Sequence, residues 1–186
     1  MKAIDTKIPD VKIIEPTVFE DTRGFFMETW QQNKFEKIVG SDKEITFVQD
    51  NQSSSIKGVL RGLHYQKINT QGKLVRVTKG KVFDVAVDIR KDSDTFGEWV
   101  GVILSEDNRR MLWVPEGFAH GFYVLSKEAE FLYKCTDYYN AESNVTISWN
   151  DEDINIDWPI EGQVVLSDTD REGISLEDAR NTNKLL

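Results

Sequence analysis

The stretch Arg61-Gly62-Leu63-His64-Tyr65-Gln66 decides how the chain reads. It carries one of only two histidines in 186 residues and lies between two aliphatic, β-branched runs, so it reads as a strand in a β-rich core. Side chains of a straight strand alternate between faces, which sets Arg61 against His64 and groups Gly62, His64 and Gln66. Gly62 in mid-strand is a place for a bulge, and a bulge there would bring Arg61 and His64 round to one pocket. A lone strand histidine reads as a hydrogen-bonded structural residue. Its company shifts the reading: a second histidine in Pro115-Glu116-Gly117-Phe118-Ala119-His120-Gly121-Phe122, and basic residues on nearby strands.

Outward from this stretch the chain is a series of short strands. Val11–Phe19 reads as a strand that Pro16 bends or places at an edge, and Gly24–Trp30 as a second beyond the turn Asp21-Thr22-Arg23-Gly24. Gln31–Val39 is expected to be a short helix with Phe35, Ile38 and Val39 on its apolar face and Gly40 as its stop. Thr46–Ser53 and Val59–Gln66 are further strands. Lys73–Thr78 and Val82–Ile89 flank Lys79-Gly80-Lys81, a hairpin signature. In the second of these, Phe83, Val85, Val87 and Ile89 make one apolar face, while Asp84 and Asp88 share the other with Val82 and Ala86. Trp99–Leu104, Arg110–Val114, Ala119–Leu125, Glu130–Tyr138 and Thr146–Trp149 complete the set, and Ser175 can cap a helix to Asn181. Short strands at steady spacing with glycine-containing turns predict an all-β sandwich or barrel with short peripheral helices. No linker, repeat or low-complexity segment divides it, so one domain, 1–186, is expected.

Composition narrows the function. At 39% hydrophobic and 11% aromatic residues the chain suits a soluble globular protein with a real core. No apolar run approaches the roughly 18 residues of a membrane span, and Met1–Asp10 lacks a signal-peptide core, so a cytoplasmic location is expected. The single cysteine, Cys135, permits no internal disulfide and reads as a buried inert thiol. A net charge of −9 argues against a nucleic-acid polymer as ligand. Two or three local cations would still hold a small diphosphate. Arg23, Arg61 and Lys73 are candidates, whereas Arg76 reads as ordinary solvated charge. Gln49-Asp50-Asn51 offers adjacent polar side chains, read equally well as a cross-strand polar pair or as ligand contacts. Tyr133 shares a face with Phe131 and Cys135; a core tyrosine there needs a partner for its hydroxyl.

Two spaced motifs resemble in part those of the cupin barrels. Gly58, five residues and His64 match the first, but Gln66 stands where its second histidine would fall and the following glutamate is missing. Pro115-x-Gly117-x-x-His120 matches the second. Metal sites in such barrels want three or four N/O ligands, so a metal-free, cupin-like jelly roll is expected.

With these residues in view the chain closely resembles the dTDP-4-dehydrorhamnose 3,5-epimerase family. The resemblance is carried by Arg61–Gln66, Gln49–Asn51, Phe83–Arg90, Pro115–Phe122, Phe131–Lys134 and Trp149–Trp158, and runs from about Ile8 to Asp170. It implies a cofactor-independent inversion of C3 and C5 of a dTDP-linked 4-keto-6-deoxyhexose on the way to dTDP-L-rhamnose. By that resemblance His64 is the base, paired with Asp170; Tyr133 is the acid; and Lys73 stabilises the enolate oxygen. Arg23, Glu28, Gln49, Asp50, Asn51, Arg61 and His120 match the family's nucleotide and sugar contacts. The resemblance also implies a homodimer that exchanges N-terminal strands, with Arg23 and Glu28 completing the neighbour's site. Two positions depart from the pattern: Thr169 stands where a ligand-contacting lysine precedes the aspartate, and Asn144 where a glutamate is expected, with Glu142 two residues early. An enzyme that inverts one carbon of a related dTDP-4-keto sugar would use the same acid and base and stays open at this point.

Overall fold

A computed structural model describes residues 1–40 and 44–186. The strands, in chain order, are β1 (Lys2–Asp5), β2 (Lys12–Glu15), β3 (Val18–Asp21), β4 (Gly24–Met27), β5 (Gln49–Ile56), β6 (Leu60–Gln66), β7 (Lys73–Lys79), β8 (Lys81–Asp88), β9 (Trp99–Ser105), β10 (Met111–Val114), β11 (Phe118–Val124), β12 (Glu128–Cys135) and β13 (Asn144–Thr146). The α-helices are α1 (Gln32–Val39), α2 (Asp168–Arg171) and α3 (Leu176–Asn181). A six-stranded sheet ordered β1-β2-β10-β7-β12-β5 faces a five-stranded sheet ordered β13-β6-β11-β8-β9, and β3 pairs with β4 as a separate ribbon. This is the all-β, cupin-like jelly-roll arrangement that the spacing of strands predicts.

Alternation along each strand assigns its side chains to three apolar layers. Val75, Val77, Val82, Ala86, Val102, Phe122 and Phe131 meet between the sheets. Val85, Val87, Leu63, Ala119 and Tyr123 point outward from the five-stranded sheet, under Ile147, Ile154, Trp158, Leu176 and Leu185 of the C-terminal segment. On the outer face of the six-stranded sheet Ile14, Leu74, Met111 and Trp113 pack against Phe35 of α1. That helix forms because Gln31 caps it, its side chain accepting from Lys34 N, and it stops at Gly40 with φ +68. Trp30, read as strand, instead packs tilted against Phe35 and edge-on against Phe47 at centroid distances of 4.9 and 4.6 Å.

The structure corrects three local readings. Pro16 ends β2, and the run Val11–Phe19 becomes two strands in different sheets. Lys79-Gly80-Lys81 is no hairpin: β7 lies between β10 and β12, both of its edges are taken, and β8 crosses to the other sheet between β11 and β9. Both faces of β8 are buried, which only an interior strand of a covered sheet needs. Gly80 makes the corner at φ +78, where a Cβ would lie 2.0 Å from the Glu128 carbonyl oxygen. The last strand is displaced from Thr146–Trp149 to Asn144–Thr146, because its partner β6 runs antiparallel to it from His64 to Gln66.

Candidate active site

The bulge expected at Gly62 is present. β11 pairs with β6 as His120 opposite His64 and Phe122 opposite Arg61, so three steps on β6 answer two on β11. Arg61 and His64 therefore line one cavity of about 250 Å³ between the sheets. No other residue replaces Gly62 there, since at φ +126 a Cβ would stand 2.5 Å from Gly121 Cα and 2.8 Å from the His120 carbonyl oxygen. β5 contributes Gln49, Asn51 and Ser53 to the cavity, β7 Lys73, β11 His120 and β12 Phe131 and Tyr133.

His64 is half-buried and its Nε2 lies 2.7 Å from Asp170 Oδ1. Asp170 is buried, and the same oxygen accepts from Gly62 N at 3.1 Å while Oδ2 accepts from the Ser167 hydroxyl at 2.6 Å. Ser167 also caps α2 by accepting from Asp170 N, so one short helix fixes the carboxylate. Burial pushes the Asp170 carboxyl up, but hydrogen bonds from His64, Ser167 and Gly62 outweigh it and hold it at about 2. Asp170 is thus an anion at neutral pH, able to orient the imidazole and balance a positive charge on it.

Tyr133 reaches the cavity from the opposite sheet, and burial raises its phenol above the ordinary range, with Arg61 pulling the other way. It stays protonated at neutral pH, as a proton donor must. Lys73 is buried beside it; burial lowers its ammonium, and the nearby Cys135 and Asp84 resist that. Among the described residues its Nζ has no hydrogen bond or ion pair, so its donors are free for a ligand. His120 Nε2 lies 3.0 Å from Asp84 Oδ1. Cys135 is buried, and burial raises its thiol, so it is the inert residue expected.

Other candidates lie elsewhere. Asp50 falls between Gln49 and Asn51 on β5, so alternation turns it to the outer face, where it pairs with Lys134 at 2.8 Å and lines a separate groove with Arg76. Arg23 pairs with Asp21 at 2.5 Å and Glu28 with Lys34 at 2.8 Å; neither lines this chain's cavity. Gln66 is held by backbone, its Nε2 donating to the Asn69 and Tyr138 carbonyls and its Oε1 accepting from Asn140 N. Among the described residues no three of His, Cys, Asp and Glu converge as metal ligands. Sequence reasoning passed over Gln71 and Tyr139, which line the cavity, and the buried Asp84 beside it. A carboxylate inside the buried run Val82–Val87 was the signal, since a buried charge needs a partner.

A carboxylate-held imidazole, a protonated phenol and an unpaired ammonium around one cavity form equipment for moving protons on carbon beside a carbonyl. Fold and site together define an acid–base isomerase in a jelly roll. The family model described as dTDP-4-dehydrorhamnose 3,5-epimerase matches residues 5–178. The chain belongs to the dTDP-4-dehydrorhamnose 3,5-epimerase family. It is 58% identical over 180 residues to the enzyme of that name from Salmonella typhimurium, covering 96% of this chain and 97% of that one. The crystal structure of an epimerase from Legionella pneumophila in complex with dTDP-4-keto-L-rhamnose is 54% identical with a TM-score of 0.95, covering 99% of this chain and 96% of that one. A 3'-monoepimerase from Streptomyces bikiniensis, solved with dTDP-quinovose, is 28% identical with a TM-score of 0.91, covering 100% of this chain and 92% of that one.

Proposed function

We propose that this chain inverts C3 and C5 of dTDP-4-dehydro-6-deoxy-D-glucose to give dTDP-4-dehydro-L-rhamnose. The observation that carries this reading is the His64–Asp170 pair at 2.7 Å in one cavity with Tyr133 and Lys73. Both carbons are α to the C4 ketone. His64 removes each proton, the electrons pass to the ketone oxygen as an enolate, and the Lys73 ammonium stabilises that oxygen. Tyr133 returns a proton from the other face, which inverts the centre. Asp170 stabilises the imidazolium formed between the two steps. Arg61, Gln49, Asn51 and His120 hold the sugar nucleotide. Between the two carbons the imidazolium gives its proton to water and the Tyr133 phenolate takes one back, so each inversion starts from the same state and neither metal nor nucleotide cofactor is part of the scheme.

The proposal extends to the assembly. The β3–β4 ribbon exposes Phe19, Phe25 and Phe26, between 56 and 71% accessible. An apolar ribbon that pairs with neither sheet suits docking on a second copy, where Arg23 and Glu28 would complete the partner's site. Asp50, on the outer face, would serve as a ligand contact only through that assembly. One catalytic domain, 1–186, acting on a charged sugar nucleotide in the cytoplasm completes the reading; no helix among the described residues is long and apolar enough to cross a membrane. The test is turnover of dTDP-4-keto-6-deoxyglucose in excess chelator, followed by NMR. An L-configured 4-keto product supports the reading. Loss of turnover restored by one divalent metal overturns it, and a product inverted at one carbon supports a single-carbon epimerase instead.

A further inference from the structure

Asp84 is a fully buried carboxylate beside the cavity, and the acid, base and enolate stabiliser assigned above leave it without a role. It lies on β8 facing inward with Val82 and Ala86, where a charge is costly unless it is partnered. His120 is that partner, with Nε2 3.0 Å from Oδ1 and 3.1 Å from Oδ2. Burial raises the Asp84 carboxyl; the charges of His120 and Lys73 and the His120 hydrogen bond oppose this. Lys73 comes from the facing sheet and forms no ion pair with it.

The arrangement repeats the first pair. His120 and His64 are direct cross-strand partners, and each sets its Nε2 against a carboxylate, His64 against Asp170 and His120 against Asp84. With Nε2 engaged, Nδ1 is the His120 nitrogen left for a ligand, and it has no hydrogen-bond partner among the described residues. The ring plane is fixed by stacking on Phe131 at 6.1 Å between centroids.

We propose that Asp84 is a positioning residue of the reaction: it holds His120 in the Nε2–H tautomer, so that Nδ1 accepts a hydrogen bond from a sugar hydroxyl. The proposal rests on the epimerase reading above. A ring that turns or changes tautomer would no longer hold the sugar carbons against His64, and misplacement on that scale costs about 10²-fold in rate.

The test joins imidazole ¹⁵N NMR to kinetics. With only two histidines in the chain, both rings are resolved in one long-range spectrum. Wild-type protein at a pH where the ring is neutral is expected to show His120 protonated at Nε2 alone. In Asp84→Asn the His120 pattern is expected to become a tautomer mixture, while His64 keeps its own, kcat falls about 10²-fold and KM changes far less. A wild-type His120 protonated at Nδ1 overturns the proposal even if the variant does not fold. A folded Asp84→Asn protein with unchanged kcat overturns it as well. Wild-type protein that fails to turn over dTDP-4-keto-6-deoxyglucose counts against the epimerase reading instead, since the spectrum reports the tautomer without substrate.

Discussion

Replacing Asp170 by Asn removes one charge and little volume from the most connected carboxylate in the site. In the wild type, Oδ1 accepts from His64 and Gly62 N, and Oδ2 accepts from Ser167 Oγ. The Asn amide can keep Oδ1 toward Gly62 and His64, but its Nδ2 then meets a Ser167 hydroxyl that already accepts from residue 170 N. The folded carboxyl is held at about 2, against about 3.9 for a free aspartate, a gap worth about 2–3 kcal/mol at neutral pH. For a chain of this size that corresponds to a melting point about 5–10 °C lower. Because the folded value is the depressed one, this stability is fully present above the unfolded value and is lost as pH falls through about 2. The gap in melting temperature between wild type and Asp170→Asn should therefore be constant near neutrality and close as pH falls from about 4 towards 2. Activity should drop by about 10²–10⁴-fold, since a neutral amide cannot balance the imidazolium. Calorimetry across pH and product NMR read the two effects separately. A folded variant that inverts both carbons at the wild-type rate, or a melting gap that widens in acid, would show that the Asp170 charge has neither effect.

Other changes are expected to act on different parts of the account. Lys73→Met should abolish most turnover yet raise stability by about 1–3 kcal/mol at pH 7, because it removes a buried ammonium without a carboxylate partner. Its folded value is depressed, so wild-type stability should gain as pH rises towards the free lysine value of about 10.5 while the variant's does not; a variant that melts lower at pH 7 would count against this. Gly62→Ala should cost at least about 1–3 kcal/mol, since its Cβ meets Gly121 Cα at 2.5 Å with φ at +126, and an unchanged melting point would refute that. Phe26→Asp, at a residue 71% exposed, should leave the monomer folded, convert the proposed dimer to monomer in sedimentation and reduce activity; an unaltered sedimentation profile would remove the ribbon from the interface.

The fold was largely legible because its signals are local. Alternation placed Phe83, Val85 and Val87 on one face, Gly40 stopped α1, and Ser175 capped α3. Gly62 in mid-strand pointed to the bulge that gathers Arg61 and His64. What stayed hidden is non-local. Whether Gly80 turns a hairpin or a corner depends on which neighbours occupy the edges of β7, and no window around Gly80 contains β10 or β12. Asp170 lies 106 residues from His64, so their pairing came from family resemblance and not from spacing. Asp50 was separable in principle, because adjacent residues of a strand cannot both face one cavity. Asp84 was visible as a charge in an apolar run, but its partner lies on another strand, 36 residues away.

The central claim is that His64 takes protons from one side of the sugar and Tyr133 returns them from the other. Deuterium incorporation at C3 and C5 of dTDP-4-keto-6-deoxyglucose in deuterated water, compared among wild type, His64→Ala and Tyr133→Phe, tests it most directly. Wild type should carry deuterium at both carbons of an inverted product, and His64→Ala should show neither exchange nor inversion. Tyr133→Phe, which keeps base and ammonium, should retain some exchange while losing inversion. Each variant should melt within a few degrees of the parent. A folded His64→Ala protein that still inverts both centres would contradict the account.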